Sequence, residues 1–342
     1  MKKNKPTIHE IARLLNIDSS TVSRALNNSN LVTQKTKDKV LKKAKEIGYQ
    51  RNLLASNLRK SKSNTIGVIV PRISRHFFSS TIAGIEEASY AQGYNVIICQ
   101  SMEKLEREIK IVNNLISNRV DGILVSVSME TTEDTHLKQF DLSNIPLVFF
   151  DRALSEMPNS KVLIDSIKAS YDVTQHLIDQ GCRKIVHIGG PATLDIYKDR
   201  FKGYKQALQE NNLPFEENRV YTSALNEQEG RKIIKTLIDL GIEFDGIFSA
   251  NDLAAIGAIK YLKSVGIEVP QDVAVAGFSN EPISEAIEPS LTTVDQSGYE
   301  IGRIACNLLL DRISRTDNES AIAKSVTLSP TLIIRESSKR KK

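Results

Sequence analysis

The sequence predicts an α/β protein in which a three-helix head at the N-terminus precedes two doubly wound parallel-sheet lobes. Helical periodicity covers most of the first part of the chain, and from Thr65 onward apolar runs of strand length alternate with helical stretches. Continuous apolar strands separated by helices are typical of parallel sheets that are covered on both faces. The strands are too numerous for one compact sheet, so we expect two lobes that meet near residues 151–164.

The first two predicted helices form a close pair. Apolar residues recur at helical spacing over 8–15, and a capping box begins at Thr7. After a break at 16–18, Ser19 or Ser20 is expected to cap a second helix whose outer face is polar to basic. Such a pair is typical of a helix-turn-helix, whose second helix lies in the major groove of DNA. An ordinary helical hairpin on the surface of an enzyme has the same pattern.

A third helix is predicted to begin at Thr33 and to end near Ile47, where Gly48 provides a C-terminal cap. Residues 51–59 can form two further helical turns, and the polar stretch after them has the composition of a linker. The predicted boundaries are 1–50 for the head, 51–63 for a hinge helix and linker, and 64–342 for the body, with lobe one at about 64–161 and 292–320 and lobe two at about 162–291 and 321–342.

Charge is distributed unevenly along the chain. Residues 1–63 contain fifteen lysines and arginines against four acids, a net charge of +11, whereas the whole chain carries only +5. The remainder is therefore mildly acidic, with a net charge of −6. A basic head on an acidic body is typical of a protein that meets polyphosphate with one end only. This asymmetry favours the DNA-binding interpretation of the helix pair over the surface hairpin.

Several classes of protein lack their signatures in this sequence. A membrane span needs roughly 20 apolar residues in a row, and no run approaches that length. The N-terminal residues lack the apolar stretch of a secretory signal, so we expect a soluble, cytoplasmic protein that is associated with the nucleoid if it binds DNA. Cys99, Cys182 and Cys306 have neither disulfide nor metal-binding spacing, and we expect no metal and no cofactor.

Several short motifs, in the right order along the chain, resemble the lactose/galactose repressor (LacI/GalR) family of bacterial transcription regulators. They lie at 7–27, 32–49, 52–58, 65–71, 250–257, 269–273 and 289–294. The resemblance implies a repressor that binds double-stranded operator DNA as a homodimer or a dimer of dimers. It also implies a body like the type I periplasmic sugar-binding proteins, and a small effector that changes operator affinity.

The resemblance assigns DNA contacts to individual residues. Arg24 lies where the family's second helix contacts base edges, and a bidentate arginine–guanine contact is worth ~1–3 kcal/mol of discrimination. Leu58 matches the hinge leucine that the family inserts into the minor groove, although Arg51 replaces the usual proline before the hinge. The implied contacts are Ser19, Ser20 and Arg24 at bases, Thr21, Ser23, Asn27, Thr33 and Lys37 at phosphates, Leu58 in the minor groove, and also Thr7, Tyr49, Asn52, Ala55 and Arg59.

Polar and aromatic residues that follow strand ends predict an effector cleft. Ligands of doubly wound sheets bind outside the carboxyl ends of the strands, which for two facing lobes is the space between them. Guanidinium, carboxylate and amide groups beside an aromatic wall suit a sugar-like ligand. The resemblance implies an aromatic contact at Phe77 and places Arg200 at the position of the family's ligand-binding arginine. The full set of expected contacts is Phe77, Phe78, Asp151, Arg152, Tyr197, Arg200, Asn251, Asp252, Ser279, Asn280 and Gln296. Many relatives carry an aspartate near Ser279, so either the effector differs from theirs or Asn280 substitutes.

Other functions are compatible with parts of the pattern. Within the same family, a nucleobase, a nucleoside or a phosphocarrier protein could control the regulator instead of a sugar. An enzyme on the same lobes is a further alternative, because Asp151 and Arg200 could perform acid–base chemistry. Against an enzyme, the sequence contains neither a GxGxxG motif nor a P-loop lysine. A transport-type binding protein is opposed by the basic head.

Overall fold

The computed structural model describes residues 6–49, 62–315 and 322–340. The predicted hinge helix, with Asn52, Ala55, Leu58 and Arg59, lies outside the described residues. The chain divides into two compact units, Met1–Ser63 and Asn64–Lys342, which we call the head and the body.

The described part of the head contains helices α1 (Ile8–Leu15), α2 (Ser19–Leu26) and α3 (Gln34–Glu46). Their apolar faces meet around Ile11, Val22 and Val40, which are fully buried. A core of this kind fixes the angle between α1 and α2, because each helix is too short to be stable alone.

The ends of these helices test the capping predictions. The hydroxyl of Thr7 accepts a hydrogen bond from the backbone N–H of Glu10 at 3.3 Å, which confirms the predicted cap of α1. Helix α2 begins at Ser19 with Asp18 in the N-cap position, so the predicted cap by Ser19 or Ser20 is wrong. Gly48 follows α3 with a φ of +69°, a left-handed conformation that favours glycine and agrees with the predicted helix end.

The body is built from alternating strands and helices. Its first half contains β1 (Thr65–Val70), α4 (His76–Ala91), β2 (Asn95–Gln100), α5 (Leu105–Ser117), β3 (Gly122–Val125), α6 (Lys138–Leu142), β4 (Leu147–Phe150), β5 (Ser160–Ile164) and α7 (Ser166–Asp179). Its second half contains β6 (Ile185–Gly189), α8 (Asp195–Glu210), a 3-10 turn (Glu217–Arg219), β7 (Val220–Thr222), α9 (Glu227–Asp239), β8 (Gly246–Ser249), α10 (Asp252–Ser264), β9 (Ala274–Ala276), α11 (Ile283–Ala286), β10 (Thr293–Asp295), α12 (Gly298–Ser314), β11 (Ser325–Leu328) and β12 (Thr331–Ile333).

Two parallel sheets define the two lobes. The sheet of lobe one has the strand order β11-β5-β4-β3-β1-β2, and that of lobe two has the order β7-β6-β8-β9. A small antiparallel ladder pairs β10 with β12. The predicted α/β class with two doubly wound lobes is confirmed. No helix in the described ranges combines the length and the apolar character needed to cross a membrane.

The division of the chain between the lobes differs from the predicted one. Residues 162–164 belong to β5 and lie in the sheet of lobe one, although we expected them in lobe two. Strand β11 pairs with β5, so the described start of the segment after residue 321 also belongs to lobe one. Thr292 bridges to Ala276 in lobe two rather than joining lobe one. The chain therefore crosses between the lobes again after β11, because β12 follows it and pairs with β10.

Helices α4 and α12 cover lobe one and approach each other closely. A Cβ atom built on Gly302 would lie 2.0 Å from the carbonyl oxygen of Thr81, and one on Gly84 would lie 2.1 Å from that of Tyr299. Such distances exclude any side chain, so glycine at both positions permits the contact.

His187 is a buried titratable residue in the core of lobe two. It lies on β6, with 1% of its surface exposed, and its ring stacks on Tyr204 at 5.0 Å and lies 4.9 Å from Phe248. Burial lowers the pKa of this imidazole to about 3. The unfolded chain, with an ordinary pKa of ~6.5, therefore takes up a proton at a pH at which the folded chain does not.

We expect His187→Phe to make the body more resistant to acid. Above a pH of ~6.5 both states of the wild-type histidine are neutral, so the effect appears only as the pH falls below that value. Below that value, each pH unit lowers the folding stability of the wild type by ~1.36 kcal/mol, and the total loss reaches about 2 kcal/mol near pH 5. The phenylalanine variant does not lose this stability, because it has no imidazole to protonate. Urea unfolding over a pH series measures this slope. Parallel slopes for the two proteins would contradict a neutral His187.

Candidate functional site

Helix α2 presents the exposed polar face of the head. Ser20 and Arg24 are four residues apart on one face and are exposed. Thr21 and Ser23 are half-buried. The Oγ atom of Ser19 lies 2.9 Å from Nδ1 of His9, so this residue joins α1 to α2 in addition to any contact with DNA. These positions are compatible with the predicted DNA contacts, which remain predictions.

The remaining predicted contacts of the head are partly engaged within the protein. Thr7 caps α1, and the side-chain amide nitrogen of Asn27 donates to the backbone carbonyl of Ser23 at 2.7 Å. Thr33 is exposed, with its hydroxyl 3.0 Å from that of Thr36. Tyr49 packs against the core of the head and is half-buried.

Lys37 was predicted to neutralise a DNA phosphate, and its geometry does not support that role. The side chain is 8% exposed, and its ammonium group donates to the side-chain oxygen of Asn28 at 2.8 Å and to the carbonyl of Asn28 at 3.3 Å. Asn28 has a φ of +53° in the loop after α2. Lys37 therefore holds this loop in a left-handed turn, a role that sequence spacing could not reveal.

A cavity of about 500 Å³ lies between the two lobes at the carboxyl ends of their strands. Asp151 directly follows β4, Asn251 follows β8, and Tyr197 and Arg200 lie on α8 after β6. The predicted contacts that line the cavity are Phe77, Phe78, Asp151, Arg152, Tyr197, Arg200, Asn251, Ser279 and Gln296. The cleft that we expected from the strand ends is therefore present.

Arg200 is held in one orientation within this cleft. It is 4% exposed, and it donates to the carbonyl of Ala250 at 2.7 Å and to the amide oxygen of Gln296 at 3.2 Å. Its guanidinium carbon lies 3.7 Å from the centre of the Phe278 ring. Burial lowers the pKa of Arg200 to about 10, and the group remains charged at neutral pH. Gln296 in turn donates to the hydroxyl of Ser279 at 2.9 Å.

Arg152, which follows β4 of lobe one, contacts two other residues that line the cavity. Its guanidinium donates to the Glu103 carboxylate at 2.8 Å and to the hydroxyl oxygen of Tyr197 at 3.4 Å. Asp151 lies 3.7 Å from the same guanidinium, and burial raises the pKa of the Asp151 carboxyl although Arg152 and Arg200 oppose the shift. Asp151 also has a φ of +60°, a left-handed conformation that aspartate adopts more readily than most residues other than glycine.

Two predicted effector contacts do not line the cavity. The carboxylate of Asp252 is fully buried and accepts hydrogen bonds from Thr293 Oγ1, Ser284 Oγ and the backbone N–H of Glu281. The side-chain oxygen of Asn280 accepts a hydrogen bond from Arg335 at 3.0 Å. Both residues bind parts of lobe two to each other, so their predicted role at the effector is corrected.

Several lining residues were missed by sequence reasoning. They are Arg72, Arg75, Met102, Glu103, Lys104, Met129, Glu130, Ile196, Ala224, Leu225, Asn226, Ala250 and Glu281. Glu103 and Lys104 follow the end of β2, so the strand-end rule would have found them had it been applied to every strand. Glu281 directly follows Ser279 and Asn280, so the same pattern after β9 could have included it. Its carboxylate crosses the cleft and accepts the backbone N–H of His76, the first residue of α4, at 3.2 and 3.3 Å.

Both parts of the chain match known protein families. Residues 7–52 match the bacterial regulatory proteins of the lacI family, and residues 174–338 match the periplasmic binding protein-like domain. The ribose operon repressor of Halalkalibacterium halodurans is 31% identical over 334 residues, which cover 97% of each protein. Catabolite control protein A of Priestia megaterium is 32% identical over 319 residues, 93% of this chain and 96% of that protein. The chain belongs to the LacI family.

Solved structures of transcriptional regulators have the same fold. A transcriptional regulator CelR in complex with cellobiose is 28% identical, with a TM-score of 0.74 over 97% of this chain and 100% of that chain. The lac repressor dimer bound to operator has a TM-score of 0.86 over 98% of this chain and 99% of that chain, and at 23% identity it supports the fold alone. As a member of the LacI family, this protein is a DNA-binding transcriptional regulator.

Proposed function

We propose that this LacI-family regulator is a cytoplasmic repressor whose affinity for operator DNA is controlled by a small, sugar-like effector in the cleft between the lobes. The observation that carries this proposal is the arrangement around Arg200. A buried guanidinium is bound there by Gln296 and Ala250 and stacked on Phe278, beside the ring of Tyr197 at 5.7 Å. Fixed donors next to aromatic rings suit a ligand with several hydroxyl groups.

Thermal-shift and calorimetric titration of the full-length protein with sugars, sugar phosphates, nucleobases and nucleosides tests the class of effector. We expect at least one sugar or sugar derivative to raise the melting temperature and to change operator affinity in a gel-shift titration. Linkage requires that operator DNA alters the affinity for that compound by the same factor. Binding of nucleobases or nucleosides alone would favour the second effector class, and turnover of a ligand would favour an enzyme.

Arg24 is proposed to contact base edges in the operator. Removing a bidentate contact with a base costs ~1–3 kcal/mol of discrimination, so Arg24→Ala should lose most of its affinity for operator and little for random DNA. Lys45→Ala is a matched control, because Lys45 is an exposed cation on α3. If it neutralises a phosphate, its loss should weaken both DNAs alike. Equal losses on the two DNAs for Arg24→Ala would argue against base recognition.

We further propose that the protein forms a homodimer through the edge of lobe one. Strand β2 is the last strand of the larger sheet, and its Ile97 and Ile98 are 38% and 41% exposed. Tyr90 on the adjoining helix α4 is 78% exposed. An open edge with apolar side chains is a site of association unless it is covered.

Ile98→Arg should therefore shift the protein from dimer to monomer in sedimentation velocity. Buried in an interface without a partner, the added charge would cost several kcal/mol. Leu142→Arg is the control, because Leu142 is 85% exposed at the end of α6 and should tolerate the charge. A dimer of unchanged stability in Ile98→Arg would place the interface elsewhere.

A further inference from the structure

The cleft contains more cationic than anionic side chains. Its described lining includes five cations, Arg72, Arg75, Lys104, Arg152 and Arg200, and four carboxylates, Glu103, Glu130, Asp151 and Glu281. Three ion pairs are formed among them. Lys104 lies 2.5 Å from Glu130, and Arg152 lies 2.8 Å from Glu103 and 3.7 Å from Asp151.

Within the described residues, Arg75 and Arg200 form no salt bridge, although the charges of Asp151 and Asp252 act on Arg200 from a longer distance. The hydrogen bonds of Arg200 go to the neutral oxygens of Ala250 and Gln296. Arg75 donates from Nη2 to the carbonyl of Leu225 at 3.3 Å, and within the described residues its buried Nη1 atom meets no hydrogen-bond partner. Burial lowers the pKa of both arginines, and for Arg75 the charge of Arg72 adds to this effect while Glu281 opposes it.

Glu281 does not remove the imbalance around Arg75. Its carboxylate is also the acceptor for the first backbone N–H of α4, where the helix dipole places partial positive charge. The charge of Glu281 therefore acts on both the helix end and Arg75. The charge of Glu103 adds a smaller contribution at Arg75, and that of Arg72 opposes both carboxylates there.

We propose that the effector is anionic, carrying a phosphate or a carboxylate that is bound beside Arg72 and Arg75 at the start of α4. Its sugar-like part then lies toward Tyr197 and Arg200. The inference rests on the proposed effector cleft and specifies the chemistry of its ligand. Uncompensated charges in a partly buried site are costly, and an anionic ligand offsets that cost through charge-assisted hydrogen bonds, which are stronger than neutral ones.

Matched pairs of neutral and anionic sugars test the proposal. Calorimetry on the full-length protein would compare D-glucose with D-glucose 6-phosphate and D-galactose with D-galacturonate, with inorganic phosphate as the minimal probe. We expect the anionic member of a pair to bind at least about tenfold more tightly than the neutral one, and to weaken as salt is added. A preference confined to the phosphate pair or to the uronate pair identifies which of the two anions the site accepts.

Arg75→Gln should remove that preference, so that the anionic member of a pair binds no more tightly than the neutral one. The loss expected for the anionic member is about ten- to a hundredfold, because a charged contact is replaced by a neutral one. Arg231→Gln is the control, since Arg231 is exposed on α9 outside the cleft and should bind like the wild type. Unfolding measurements on each variant separate loss of binding from loss of structure.

The outcomes distinguish this inference from the proposed function. If neutral sugars bind and alter operator affinity, and their anionic counterparts bind no more tightly, the anionic assignment is overturned. The proposed effector cleft then still stands. If Arg75→Gln retains the full preference for the anion, the proposed position of the anionic group is wrong. If no anionic probe binds at millimolar concentration, inorganic phosphate included, the anionic assignment also fails. If in addition no member of the wider effector panel alters operator affinity, the proposed function fails with it.

Discussion

Removal of residues 1–63 is expected to abolish binding to operator DNA and to leave a folded body that still binds its effector. The head and the body are separate compact units. Among the described residues, the head has its own core around Ile11 and Val22, and the core residues of the body all come from the body's own part of the chain. The deleted residues also carry a charge of +11, whereas the remainder carries −6 and would repel DNA.

Gel-shift titration with operator DNA measures the loss, and circular dichroism melting shows whether the body remains folded. Full-length Arg24→Ala is the matched control. It should retain salt-sensitive binding to random DNA, because the other basic residues of the head remain, whereas the truncated body should bind neither DNA. Retardation of operator by the truncated body would show that the DNA-binding surface is not confined to the head.

Asp252→Ala is expected to destabilise the body strongly rather than to weaken effector contacts directly. The carboxylate accepts hydrogen bonds from Thr293 at 2.6 Å, from the Glu281 backbone at 2.7 Å and from Ser284 at 2.9 Å. Alanine leaves these donors buried without an acceptor, and each such donor costs ~1–3 kcal/mol. We therefore expect a loss of roughly 3–5 kcal/mol, which is a large part of the stability of a typical domain.

Urea unfolding compares this variant with Asp239→Ala. Asp239 is 56% exposed at the end of α9, where its side chain pairs with Lys235, and its removal should change stability by less than about 1 kcal/mol. Asp252→Asn should fall between the two, because an amide oxygen can still accept from some of the donors. An unchanged unfolding midpoint in Asp252→Ala, together with weaker effector binding, would restore Asp252 as a ligand contact.

Local patterns in the sequence were sufficient to predict much of the fold and many of the residues that line the cleft. The apolar run that became β1 follows from short-range spacing alone. Because the carboxyl ends of parallel strands meet at one edge, Asp151 and Arg200 could be placed in one cleft although the chain separates them. Residues of strand β5 were placed at the lobe junction, because the pairing of β5 with β4 is a long-range property that local spacing does not reveal.

Two neighbouring residues mark the division between what the sequence by itself determined and what only the tertiary structure decided. Polar residues Asn251 and Asp252 after an apolar strand predict a helix start at the cleft, and Asn251 indeed caps α10 and lines the cavity. The carboxylate of Asp252 instead turns into lobe two toward donors 29 to 41 residues further along the chain.

The environments of Lys37 and Arg75 were likewise decided by the tertiary structure. The sequence establishes that each is a cation on or beside a helix, because helical spacing is a local property. Whether a cation lies under a loop, as Lys37 does, or faces a cavity, as Arg75 does, depends on segments that reach it only when the chain has folded. Burial and charge balance are properties of those distant neighbours, and for that reason the chemistry of the cleft became visible only in three dimensions.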